Sequence, residues 1–332
     1  MRGRKLSLQF CFSLFAILCF SFEAEAQQLR KIAVGIPTIS ISSGSFIVAR
    51  EAGYYRDEGL EVELVVMRGA PAIQALIGGT VPFASSGGAS LLPIARGAPL
   101  RIVYTTFYRP MFWLYSKSDI RTIEDLRGKK IGVSSIGSGP DSLLRSVLKK
   151  HGLEGGRDVA ILPTGPGTAR FFSLKAGATD AAMLNEQAAL MAQESGFLQL
   201  FSFTKGEEFV EVQGSIVLRD SLMDSDPQLV EKFVRGTLKG GLYLRDNRAG
   251  SIAIHARVLK VNEEIATRIY DLARPGMTAD GTVSEELQKK AIEHILERVD
   301  VKEMPPLKRV FDFGVTRKVY AELEAKGWKA TQ

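Results

Sequence analysis

The sequence predicts an α/β fold of two similar lobes, and three observations carry that reading. Short β-branched runs alternate with helical periodicity from Ile32 to Phe203. Strand after strand ends in a loop rich in serine, glycine or threonine. A helix, glycine, strand order also recurs at constant offset: Leu76, Gly79 and Ala84 return as Leu174, Gly177 and Ala182. Open α/β sheets place ligands at the carboxyl ends of their strands, so these loops point to a small-molecule site.

Arg2, Arg4 and Lys5 precede an apolar run from Leu6 to Phe22, and Ala24-Glu25-Ala26 offers small residues around a cut. This pattern is that of a secretory signal peptide over residues 1–26, with a mature chain from Gln27. An uncleaved anchor would need a longer run without serines. The two cysteines, Cys11 and Cys19, both fall in this leader. The mature chain therefore offers no disulfide, thiolate nucleophile or cysteine metal site. The three histidines, His151, His255 and His294, read as helical or loop surface and have no metal-ligand spacing, so no metal is expected.

The formal net charge is +6. The leader holds +1 of it, three basic residues against Glu23 and Glu25, which leaves +5 scattered among acids with no basic block. Nucleic-acid binding is not expected from that distribution. With 45% hydrophobic residues and a length of roughly two domains, a large core is available. No run after the leader is long and apolar enough to cross a bilayer.

In order, Ile32 to Ile36 reads as a buried strand that breaks at Pro37 into the polar loop Thr38 to Ser45. A helix follows through Phe46 to Ala49 and ends at Gly53, and Leu60 to Val66 is the next strand, which completes a βαβ unit. After a turn at Arg68-Gly69, a helix from Ala70 to Leu76 leads to the strand Val81 to Ala84. That strand runs into Ser85-Ser86-Gly87-Gly88-Ala89-Ser90 at the start of a helix, a junction that leaves backbone N–H groups open to a ligand. The strand Leu100 to Thr105 ends in Thr106-Phe107-Tyr108-Arg109.

The first crossing between lobes is expected near Leu114 to Ser118. The second unit then takes the strand Ile131 to Val133, helix Asp141 to Lys150, strand Val159 to Leu162, helix Thr168 to Ala176, strand Ala181 to Leu184, helix Glu186 to Ser195 and strand Leu198 to Phe203. Val212 to Leu218 is the return crossing, and from Asp226 the chain reads as almost wholly helical. One lobe thus comprises residues 27–115 plus 216–332 and the other residues 116–215.

Glu51-Ala52-Gly53-Tyr54-Tyr55-Arg56-Asp57-Glu58-Gly59-Leu60-Glu61-Val62, after a strand, a serine-rich loop and a helix, resembles the opening signature of the SsuA/THI5 (NMT1-like) family. These are periplasmic substrate-binding proteins of ABC transporters for nitrate, sulfonates, taurine and thiamine precursors. Asp125 to Val133 is similar to that family's start of the second lobe, and Leu174-Lys175-Ala176-Gly177 with Asp180-Ala181-Ala182 to its later helix-to-strand step. The resemblance covers essentially the whole mature chain. It implies the type II periplasmic binding protein fold, two α/β lobes joined by two crossing segments and closing on a ligand in the cleft. It also implies an ABC transporter permease as partner, a periplasmic location, a monomer and no cofactor. Closure follows from differential affinity, because a ligand that touches loops of both lobes binds the closed form better.

Candidate ligand residues follow from the strand ends. Ser42, Ser43 and Ser45 in the first loop offer hydroxyls or backbone N–H groups, though loop capping would use the same residues. Ser85, Ser86 and Gly87 sit at the strand-to-helix junction, where tight packing is the alternative. Thr106, Phe107 and Tyr108 could stack on a flat ligand or form a lobe-surface pair. The second lobe adds Ser135, Gly137, Ser138, Thr168 and Asn185. Glu186 would read an amino-bearing ligand or serve only as a helix cap. Arg170 and Arg109 are the nearest cations, and neither settles whether the ligand is anionic or aromatic.

No catalytic set can be assembled. Ser146 to Lys149 and Ser202 to Lys205 match S-x-x-K but lack the companion motifs, and no G-x-S-x-G is present. Fungal enzymes in the resembled family carry a cysteine-rich motif that this mature chain lacks. The expectation is a binding protein and no enzyme; an exported enzyme or a sensing module on the same fold is the alternative.

Overall fold

The computed structural model describes residues 28–67, 70–205, 209–296 and 305–330. The leader, the Arg68-Gly69 turn and the His294 side chain lie outside the described parts. Among the described residues, ten strands form two five-stranded sheets. The first contains β1 (Arg30–Ile36), β2 (Leu60–Val66), β3 (Phe83–Ala84), β4 (Leu100–Tyr104) and β10 (Ile216–Arg219); the second contains β5 (Trp113–Ser116), β6 (Lys130–Val133), β7 (Ala160–Pro163), β8 (Ala181–Leu184) and β9 (Leu198–Ser202).

The spatial orders are β2-β1-β3-β10-β4 and β7-β6-β8-β5-β9. Four strands of each sheet point the same way, and β10 or β5 runs antiparallel between two of them. Each antiparallel strand is the one on which the chain enters the sheet from the other lobe. The lobes thus share one topology, as the recurring helix, glycine, strand order suggests.

The expected first crossing, Leu114 to Ser118, needs correction. Trp113 pairs with Leu184 and Ser202 in the second sheet, so the chain has changed lobes before Trp113. Trp113 to Ser116 is buried throughout, and an apolar strand cannot bridge two lobes through water.

Each lobe has its own apolar centre. In the first, Phe46, Tyr55 and Phe83 gather around Phe233 of the helix Pro227–Asp246, with the Phe83 and Phe233 rings stacked at 4.0 Å. That helix begins where Asp226 accepts from the Leu229 N–H and Pro227 takes the first turn. In the second lobe, Leu114, Ile131, Val133, Leu143 and Leu144 pack together. A further cluster joins Ile41 and Val48 of the first lobe to Trp113, Leu184 and Ala188 of the second through Tyr243, Ile269 and Tyr270. The helix Glu263–Ala273 therefore packs on both lobes, and its Arg268 pairs with Glu194 at 2.8 Å. The sequence reading gave these helices to one lobe.

His255 also departs from expectation. It is fully buried, with Nδ1 2.7 Å from the Ser251 carbonyl, and burial lowers its pKa. Its helix, Arg248–Leu259, also buries Ser251 and Ile252.

Candidate functional site

The parallel strands of both sheets aim their carboxyl ends at one cleft, which encloses a cavity of about 110 Å³. Pro37, Thr38, Ser40 and Ser42 follow β1; Ser85 to Ala89 follow β3; Ser134, Ser138 and Gly139 follow β6; Pro166, Gly167 and Arg170 follow β7; Asn185 and Glu186 follow β8. Met111 and Phe112 from the first crossing and Glu211 to Gly214 from the second complete the wall.

Four helices begin on this wall without a side-chain cap: Gly87–Ala95, Gly139–Lys150, Gly167–Lys175 and Glu186–Glu194. Their first-turn N–H groups have no intrahelical partners and carry the positive end of each helix dipole. Several buried side-chain atoms on the wall have no hydrogen-bond partner: Ser85 Oγ, Ser86 Oγ, Asn185 Oδ1, Glu186 Oε1 and Gln213 Oε1. Buried polar atoms are rarely left so, and a group here waits for water or a ligand.

Two carboxyls set the electrostatics. Glu186 is 1% exposed. Burial raises its pKa, opposed by the polar groups of Ser40 and Ile41 and by the charge of Arg170. Glu211 stands on the return crossing; burial pushes it up to about 8, and Gln213 Nε2 donates to it at 2.9 Å.

Of the residues proposed from sequence, Ser42, Ser85, Ser86, Gly87, Ser138, Asn185 and Glu186 line the cleft. Ser43, Ser45, Thr106, Phe107, Tyr108, Ser135, Gly137 and Thr168 do not. Ser43 Oγ donates to the Thr38 carbonyl and shapes the loop from inside. Thr106 Oγ1 is hydrogen-bonded to Ser45 Oγ at 2.7 Å and to the Gly214 carbonyl, which ties the second crossing to the first helix. Phe107 is fully buried and bridges Gln213 and Met277, and Tyr108 lies against Arg109. Both aromatics belong to the joint between lobes, because the chain leaves the first sheet at Tyr104.

Sequence reasoning missed Ser40, Glu211 and Gln213. Nothing local marks Glu211, since a crossing segment has no periodicity to reveal which side chain turns inward. Among the described residues, no group of three His, Cys, Asp or Glu side chains is placed to hold a metal ion, and no helix is long and apolar enough to cross a membrane. Ser146 of the first S-x-x-K match is inside a helix, with its hydroxyl on the Ser142 carbonyl.

Residues 41–249 match the NMT1/THI5-like family, more than half of the chain and both crossings. The chain belongs to the NMT1/THI5-like family. The riboflavin-binding protein RibY of Chloroflexus aurantiacus is 28% identical over 225 residues, 64% of this chain and 61% of that protein. This NMT1/THI5-like chain thus aligns with about three fifths of that relative's length. Among solved structures, a protein of Bordetella bronchiseptica RB50 superposes with a TM-score of 0.79 at 20% identity, over 90% of this chain and 99% of that one. The alkanesulfonate-binding protein SsuA of Xanthomonas axonopodis pv. citri, bound to MOPS, gives 0.65 at 22% over 88% and 98%. The desulfurization enzyme DszB gives 0.63 at 15% over 88% and 99%. The fold of this NMT1/THI5-like chain is therefore the two-lobed periplasmic binding fold, which carries both binding proteins and an enzyme.

Proposed function

We propose that the chain is an extracytoplasmic solute-binding protein that captures a small organic ligand by lobe closure and delivers it to an ABC importer. The observation that carries this reading is the cleft itself. Unpartnered buried polar atoms come from both lobes, Ser85 and Ser86 from one and Asn185 and Glu186 from the other, so a ligand between them favours the closed form. A dissociation constant near 1 μM needs only about 8 kcal/mol, within reach of a few hydrogen bonds and apolar contacts in a closed cleft.

Family membership and the binding proteins among its relatives support capture over catalysis. The chemistry of the wall agrees, because no serine on it has a histidine or lysine base beside it. The leader expected over residues 1–26 supports a periplasmic location, and the permease is the partner this function requires. We take the protein to act as a monomer.

A thermal-shift screen of the purified mature chain against riboflavin, pyrimidines, sulfonates, nitrate and aromatic carboxylates tests the reading. At least one saturating compound raises the melting temperature by mass action and is recovered unchanged. A compound consumed during the assay would favour the enzyme.

A further inference from the structure

The chemistry of the cleft narrows the ligand class. Glu211 is 7% exposed, and its carboxyl is wedged between the first turns of two helices from opposite lobes. A Cβ on Gly88 would meet Glu211 Oε1 at 2.6 Å, and a Cβ on Gly139 would overlap the same oxygen, so a side chain at either place would have to push the carboxyl aside. An anion seated on the first-turn N–H groups of either helix would lie against this carboxyl. The helix dipoles favour an anion there, and the protein has put an acidic side chain in front of them.

Across the cleft, Glu186 presents a second buried carboxyl, with Oε1 unpartnered. Arg170 is the cation on the wall, and its charge already acts on Glu186. The amides of Asn185 and Gln213 can turn to suit a donor or an acceptor. The carboxyls cannot: an ionised carboxylate only accepts, and a protonated one keeps a single O–H. Burial works against charge on both, and a ligand anion would add a like charge beside whichever carboxyl is ionised. The place an anion would take on the two helix N-termini is already filled by the Glu211 carboxyl, so anions are disfavoured first by occupancy and then, where a carboxyl is ionised, by repulsion.

We propose that Glu186 and Glu211 are the specificity-determining residues of the cleft, and that its ligand is an uncharged solute rich in N–H and O–H donors rather than a sulfonate, carboxylate or nitrate. The inference rests on the solute-capture reading and names its ligand class. Ser85 and Ser86 then supply adaptable hydroxyls for the acceptors such a solute also carries.

The test compares affinities of the mature chain for ethanesulfonate and benzoate with those for uracil, ribitol and riboflavin by calorimetry. The same titrations are run on Glu186→Gln and Glu211→Gln, each checked for a cooperative melt. The wild type binds at least one uncharged probe and prefers it at least tenfold over both anions. Either Gln variant narrows that ratio at least tenfold, by weaker binding of the uncharged probe, tighter binding of the anion, or both. Because amide replaces carboxyl at equal size, a folded variant is expected. A wild type that binds ethanesulfonate best, or binds no uncharged probe, overturns the proposal; so does an unchanged ratio in both variants. Sulfonate capture with the probe returned intact would sink this inference alone, whereas turnover of a probe would sink the capture reading beneath it.

Discussion

Ser40 Oγ, in the first lobe, lies 2.8 Å from Ser42 Oγ and accepts from the Ser42 N–H, so one hydroxyl shapes the loop that faces Glu186 of the second lobe across the cleft. Without it the Ser42 N–H at the start of that turn loses its cap. Ser40→Ala should therefore lower the unfolding free energy by about 0.5–2 kcal/mol, read from urea denaturation. A loss of only a few tenths would mean that water replaces the hydroxyl.

Glu211 should make stability depend on pH. Its carboxyl is pushed up to about 8 in the folded chain, against 4.5 for an unperturbed one. The group's contribution is fully present below the unfolded value and is lost as pH rises through the folded one. Between pH 5 and pH 9 the wild type should lose a few kcal/mol more than Glu211→Gln. Parallel pH curves for the two proteins would place the carboxyl in water.

Ser86→Trp should close the cleft without unfolding the chain. Ser86 stands before an uncapped helix with its hydroxyl unpartnered, so losing that hydroxyl forfeits no hydrogen bond. The melting temperature of the free protein should stay within a few degrees, and every ligand-induced shift should vanish. Binding that survives would move the site elsewhere.

Phe233 is the centre of the first lobe, stacked on Phe83 at 4.0 Å and on Tyr55 at 5.3 Å. Truncation to alanine leaves a cavity that these rings cannot close, and the expected cost is about 3–5 kcal/mol in chemical denaturation. A cost below about 1 kcal/mol would indicate a loosely packed lobe.

Much of this architecture is legible in the sequence, because its signals are local. Ile32, Val34 and Ile36 alternate as β1 requires, and Ser85 to Gly87 mark a strand running into a helix. The resemblance carried by Glu51 to Val62 falls within the region that matches the family. What escaped depends on contacts distant in sequence. Thr106 looks like a ligand hydroxyl until Ser45, 61 positions earlier, is found hydrogen-bonded to it. Phe107 reads as an exposed aromatic at a strand end, yet it bridges Gln213 and Met277 inside the joint. His255 seemed a surface residue because its own helix could not reveal Gly44, more than two hundred positions earlier, packed against its ring. Glu211 could not be found at all without the two glycines that close around it.

The central claim is capture by closure, and small-angle X-ray scattering of the mature chain with and without its strongest binder tests it most directly. The account predicts a smaller radius of gyration on saturation, and no change for Ser86→Trp under the same conditions. An identical radius with and without saturating ligand in the wild type would contradict it.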